Sequence, residues 1–109
     1  MPTVQEAIEF MKTQFKKDVA SNFKKKVVVQ YNIGKTDPEQ IHVIIDNGEL
    51  QIVEGATDKS NAQVTFDSAE SFYKVTVGEL SGMKAYLTGK IKISGSQVLL
   101  QQFNKVFQD

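Results

Sequence analysis

The chain has 109 residues, 40% of them apolar and 24% charged, a composition that suits one soluble globular domain spanning residues 1–109. Thirteen basic residues balance thirteen acidic ones, so the chain lacks the positive field that non-specific nucleic-acid binding requires, and nucleic acid is not expected as a partner. With no cysteine, disulfides, a thiolate nucleophile and a cysteine-ligated metal are excluded, and a reducing cytoplasm fits best.

Met1-Pro2-Thr3-Val4 opens without a basic stretch followed by an apolar one, and no run of about 18 apolar residues occurs. Neither export nor a membrane span is expected. Thr3 and Glu6 form a capping-box pattern, and Val4, Ala7, Ile8, Met11 and Phe15 recur at helical spacing, so a helix is predicted from 3 to about 20. The β-branched and aromatic stretch Lys26–Ile33 reads as a strand that ends at Gly34 and a turn through Asp37-Pro38. Ile41, Val43 and Ile45 alternate with polar residues, Asp46-Asn47-Gly48 tolerates positive φ, and Leu50 and Ile52 resume the alternation. That pattern is a β-hairpin. After the polar loop 55–61, Ala62, Val64 and Phe66 mark a fourth strand.

Asp67, three residues before Glu70, reads as the cap of a helix that carries Phe72, Tyr73, Val75 and Val77 and stops at Gly78. A short helix is predicted from Ser81 to Thr88, with Met83, Tyr86 and Leu87 apolar and Gly89 at its end. Ile91 and Ile93 form a short fifth strand. From Ser96 onward Val98, Leu99, Leu100, Phe103, Val106 and Phe107 give a last helix whose apolar stripe is wider than a simple core requires. Each strand thus shows one apolar and one polar face, which predicts a sheet covered by helices on one side and wet on the other. The wide stripe serves either core packing or the wall of a ligand cavity.

Catalytic signals are missing. There is no hydrolase elbow, no phosphate-cradling loop and no dinucleotide turn, and Gly82 to Gly89-Lys90 has the wrong spacing and runs into Ile91. His42 falls on the polar face of its strand and reads as a sheet residue rather than a catalyst. No metal site is expected, because one histidine and no cysteine leave only carboxylates as ligands. Asp46, Glu49 and Glu54 gather round the hairpin, where turn solubility accounts for them. Lys16, Lys17, Lys24, Lys25 and Lys26 are the one basic concentration; solvated helix ends explain them, and an anionic membrane surface would also attract them.

The stretch from Gly78 to Gly95, with its Gly89-Lys90-Ile91-Lys92-Ile93-Ser94-Gly95 element, resembles the most diagnostic segment of the sterol carrier protein 2 domain family. The order of the other elements matches along nearly the whole chain. The resemblance implies an α+β fold with a five-stranded, mainly antiparallel sheet and about four to five helices covering one face. It further implies an apolar tunnel for a long-chain fatty acid, acyl-CoA, phospholipid or sterol, carried in the cytoplasm without catalysis or cofactor. By position, Met83, Tyr86, Leu87, Leu99 and Phe103 match tunnel sites of the family; Ile8, Met11, Phe15 and Phe72 are added from periodicity. The sequence departs from eukaryotic members in ending Phe107-Gln108-Asp109, without a peroxisomal address or a tail, and in carrying Thr88 where a glutamine is common. Transient contact with a membrane surface and a homodimer stay open as partners. A competing reading makes the chain an accessory or oligomerisation domain that uses the last helix as a protein interface. A third, an acyl-thioester enzyme, would need a buried acid or base in the cavity.

Overall fold

The computed structural model describes residues 4–36 and 38–107. Five strands and five helices alternate as α1 (Val4–Gln14), α2 (Lys17–Ala20), β1 (Val27–Ile33), β2 (Glu39–Asp46), β3 (Glu49–Glu54), β4 (Ala62–Phe66), α3 (Ala69–Val77), α4 (Gly82–Leu87), β5 (Ile91–Gly95) and α5 (Gln97–Asn104). The strands form one sheet in the order β3-β2-β1-β4-β5, parallel only between β1 and β4. An α+β fold with a mostly antiparallel sheet is therefore what this sequence adopts.

Because side chains alternate along a strand, register decides which residues share a face. Tyr31 stands opposite Ile41 on one side and Val64 on the other, so Val27, Val29, Tyr31 and Ile33 share a face with Ile41, Val43, Ile45, Ala62, Val64 and Phe66. All five helices bury residues against this inner face in one cluster, among them Met11, Ala20, Phe72, Ala85 and Phe103. The hairpin turn has φ of 56° at Asn47 and 78° at Gly48, the mirror-image turn whose twist suits two antiparallel strands.

Three expectations change. The first helix is interrupted at Phe15 and Lys16, where Lys16 is extended and its N–H donates to the Val106 carbonyl at 2.9 Å while the Phe15 ring meets Phe107 at 6.1 Å. Docking of the C-terminal turn replaces the hydrogen bond that a continuous helix would have made there. The cap of α3 is Ser68, whose hydroxyl accepts from the Ser71 N–H, and not Asp67. The outer face of the sheet is also not uniformly wet: the crossover from β3 to β4 lies over β1, with the Thr57 N–H donating to the Gln30 side-chain oxygen at 2.9 Å. Val28 and Gln30 are buried beneath it. Thr3 of the capping-box pattern and Asp37 lie outside the described residues.

Gly95 gives a physical reason for the last glycine of the Gly89–Gly95 element. Its φ is +91°, and a Cβ there would stand 2.6 Å from the Asn61 carbonyl oxygen and 2.9 Å from the Ala62 Cα. Only glycine permits that approach of β5 to the start of β4 without strain.

Candidate functional site

A cavity of about 310 Å³ lies between the inner face of the sheet and the C-terminal helices. Its floor comes from Tyr31 of β1, Val64 and Phe66 of β4, and Ile91 and Ile93 of β5. Val75 and Thr76 of α3 and Met11 of α1 close one side, and Gly82, Met83 and Tyr86 of α4 form another. Helix α5 adds Leu100 with the amides of Gln97, Gln101 and Asn104, and Phe107 completes the wall.

The space exists because α4 brings little to fill it. This six-residue helix, capped by Ser81, buries only Ala85. Its larger apolar residues remain outside the core, Met83 at 66% exposed, Tyr86 at 46% and Leu87 at 73%. Exposed apolar side chains around an apolar hollow are characteristic of a binding site rather than of a finished core. Among the described residues, no lining residue is an aspartate, glutamate, lysine, arginine or histidine. The polar groups facing the space are hydroxyls and amides.

Tyr31 is the most deeply placed of them. Its ring is held by Phe66 at 5.9 Å and Phe72 at 5.5 Å between centroids. Burial pushes the phenol's pKa up from its ordinary value near 10.0, which keeps it neutral.

The structure divides the sequence-predicted residues. Met11, Met83 and Tyr86 stand on the cavity wall. Ile8, Phe72 and Phe103 lie in the buried core, and Phe15 and Leu99 are half-buried against it. Leu87 is exposed on α4 and does not line the space. Thr88 does not line it either; it caps α4, its hydroxyl donating to the Lys84 carbonyl at 2.8 Å. Sequence reasoning passed over Tyr31, Val64, Phe66, Ile91 and Ile93 as wall residues. Their strand alternation identified a buried face but could not tell which part of it stays uncovered.

The other candidate chemistry dissolves into local structure. The His42 Nδ1–H donates to the Gly55 carbonyl at 2.9 Å at the start of the crossover, outside the cavity. Glu49 pairs with Lys17 at 3.0 Å, both exposed. Among the described residues no group of three or more histidine or carboxylate side chains is placed to hold a metal ion. The apolar stripe of α5 turns inward through Leu100 and Phe103, leaving Val98 as its exposed large residue. That orientation does not favour a protein interface on this helix. Among the described residues no helix is long and apolar enough to cross a membrane.

Comparison with known proteins places this geometry in context. The model of the SCP-2 sterol transfer family matches residues 5–108. Among solved structures, sterol carrier protein-2 like-3 from Aedes aegypti superposes with a TM-score of 0.68 at 16% identity, covering 99% of this chain and 98% of that one. Palmitated SCP2L2 from the same organism gives a TM-score of 0.61 at 22% identity over 94% of this chain and 95% of that one. The inverting sec-alkylsulfatase Pisa1 from Pseudomonas sp. gives 0.75 at 16% identity over 91% of this chain, which spans only 15% of that enzyme. The fold thus occurs both as a stand-alone unit and as a small part of a much larger enzyme.

Proposed function

The chain belongs to the SCP-2 sterol transfer family, and from that membership we propose that it binds one lipid molecule in the cavity beneath α4 and carries it without chemical change. The observation that carries the reading is an apolar space of about 310 Å³ lined by Met83 and Tyr86, both exposed. That volume falls at the small end of the roughly 300–1,000 Å³ of small-molecule sites, which suits one acyl chain or ring system better than a two-chain phospholipid. Fatty acid, acyl-CoA and sterol are the remaining classes. Each buried methylene contributes about 0.8 kcal/mol, so hydrocarbon contact alone supplies useful affinity without any catalytic group.

In this reading Met11, Met83 and Tyr86 touch the lipid, while Ile8, Phe15, Phe72, Leu99 and Phe103 back the wall they form. Leu87 and Val98, both exposed, would meet the membrane surface from which the lipid is drawn, and the exposed Lys84 and Lys90 would face anionic headgroups. The reading includes no covalent step, because the lining offers hydroxyls and amides and no stronger acid, base or nucleophile. The reducing cytoplasm is the proposed setting, supported by the lack of cysteine.

A native mass spectrum of gently purified protein, followed by organic extraction, tests the proposal. One bound lipid per chain, displaced by added fatty acid or sterol, is the expected result. A protein that remains free of ligand after incubation with fatty acid, acyl-CoA and sterol would sink it.

A further inference from the structure

Of the polar side chains around the cavity, Gln97, Gln101 and Tyr86 are exposed and Thr76 and Asn104 half-buried. Tyr31 is buried, only 7% exposed. Its hydroxyl makes no hydrogen bond with any described residue. Yet no buried side-chain oxygen or nitrogen among the described residues is both sealed off and unpaired, so this hydroxyl keeps an accessible side. Tyr31 lines the cavity, and that is the space its accessible side is inferred to meet. Buried tyrosine hydroxyls ordinarily have a partner, and an unpaired one in apolar surroundings is costly. Phe66 and Phe72, themselves 5.1 Å apart between centroids, pack together against the buried ring.

The charge of that partner is restricted. With no cationic or anionic residue in the lining among the described residues, a carboxylate or phosphate brought down to Tyr31 would meet one neutral donor and no counter-charge from them. Desolvating an ion there is far costlier than desolvating a hydroxyl or carbonyl. A hydrocarbon tail entering first would leave the Tyr31 hydroxyl unpaired.

Resting on the carrier reading above, we propose that the cavity takes a neutral lipid head-inward, its hydroxyl or carbonyl oxygen hydrogen-bonded to Tyr31 Oη and its hydrocarbon leaving past Met83. Tyr31 is then the residue that sets specificity for a neutral oxygen over a carboxylate.

Displacement of a fluorescent long-chain alcohol probe from the full chain by dodecanol, dodecane and, at about pH 8 where it is ionised, dodecanoate tests this. Wild-type protein binds dodecanol most tightly. Tyr31→Phe, which keeps the ring between its neighbours, weakens dodecanol about tenfold, a change of roughly 1.4 kcal/mol, and leaves dodecane unchanged. Equal dodecanol affinity in the two proteins, or a parallel loss of dodecane, overturns the anchor while the carrier reading stands. Dodecanoate binding as tightly as dodecanol overturns the neutral class. A wild type that takes up neither the fluorescent probe nor any of the three compounds sinks the carrier reading and this inference together. Independently of any variant, the ring carbon that bears the Tyr31 hydroxyl shifts its resonance in wild-type protein with dodecanol more than with dodecane; equal shifts count against the anchor.

Discussion

Across the inner face of the sheet, β2 is sealed and β5 is left open. Ile41, Val43 and Ile45 of β2 are all at most 1% exposed. On β5, Ile93 is only half-buried and both Ile91 and Ile93 face the cavity. Backbone pattern does not separate the two strands, since each presents β-branched residues at alternate positions. The helices differ in what they bury. Helix α1 buries Val4, Ala7, Ile8 and Met11, and α3 buries Phe72, whereas α4, which packs on β5, buries a single alanine. A cavity in so small a domain therefore arises from a covering helix that withholds its large side chains from the core.

The sharpest way to break this contrast is to remove a core filler that backs the cavity floor. Phe72, 1% exposed, touches Phe66 at 5.1 Å and Tyr31 at 5.5 Å between ring centroids. Phe72→Ala is expected to cost about 3–5 kcal/mol in denaturant unfolding, through lost burial and the void left behind. Next in size, Gly95→Ala attacks the seam between β5 and β4. A side chain at φ +91°, pressed against the Asn61 carbonyl, is expected to cost roughly 1–3 kcal/mol, read from the unfolding midpoint. Loss of stability under about 0.3 kcal/mol would show that the seam relaxes freely.

A third substitution fills the open side instead. Ile93→Phe adds volume where the wall has room, so stability is expected to hold or rise by about 0.5–2 kcal/mol while lipid uptake falls. A fall in stability comparable to Phe72→Ala would mean that the open side is as tightly packed as the sealed one. The smallest effect is in alkaline solution. Burial raises the Tyr31 phenol above its ordinary value near 10.0, so the unfolded chain releases that proton first as pH rises. The stability linked to Tyr31 is full below about pH 10 and declines above it. Tyr31→Phe should therefore lose less stability than wild type between about pH 9 and 11; identical profiles would remove Tyr31 as the source.

Much of this architecture was legible in the sequence. Alternation identified four of the strands and β-branched and aromatic content the first, and the hairpin at Asn47-Gly48 followed from two residues that accept positive φ. Serines before α4 and α5 marked the starts of those helices, where their hydroxyls accept from Lys84 and Leu99 N–H groups. Legibility failed where long-range contact overrode local preference. The break at Phe15-Lys16 depends on Val106 and Phe107, about ninety residues away along the chain, and no local pattern announces it. Burial of Gln30 likewise depends on Thr57 crossing above it. The candidate site was half visible. Met11, Met83 and Tyr86 were identified from helical spacing and family position, while Phe72 and Phe103 showed the same apolar signal but sit in the core.

By itself, then, the sequence determined the element order, the two faces of the sheet, the glycine-bounded segment before the last helix and the family to which the chain belongs. These depend on periodicities, caps and turn residues that act over a few positions. Tertiary structure alone decided that α4 would cover the sheet with one alanine, that the space would open between α4 and α5, and that the buried Tyr31 would line it. An apolar residue reads the same in sequence whether its neighbour in space is another side chain or a void, and only packing distinguishes the two.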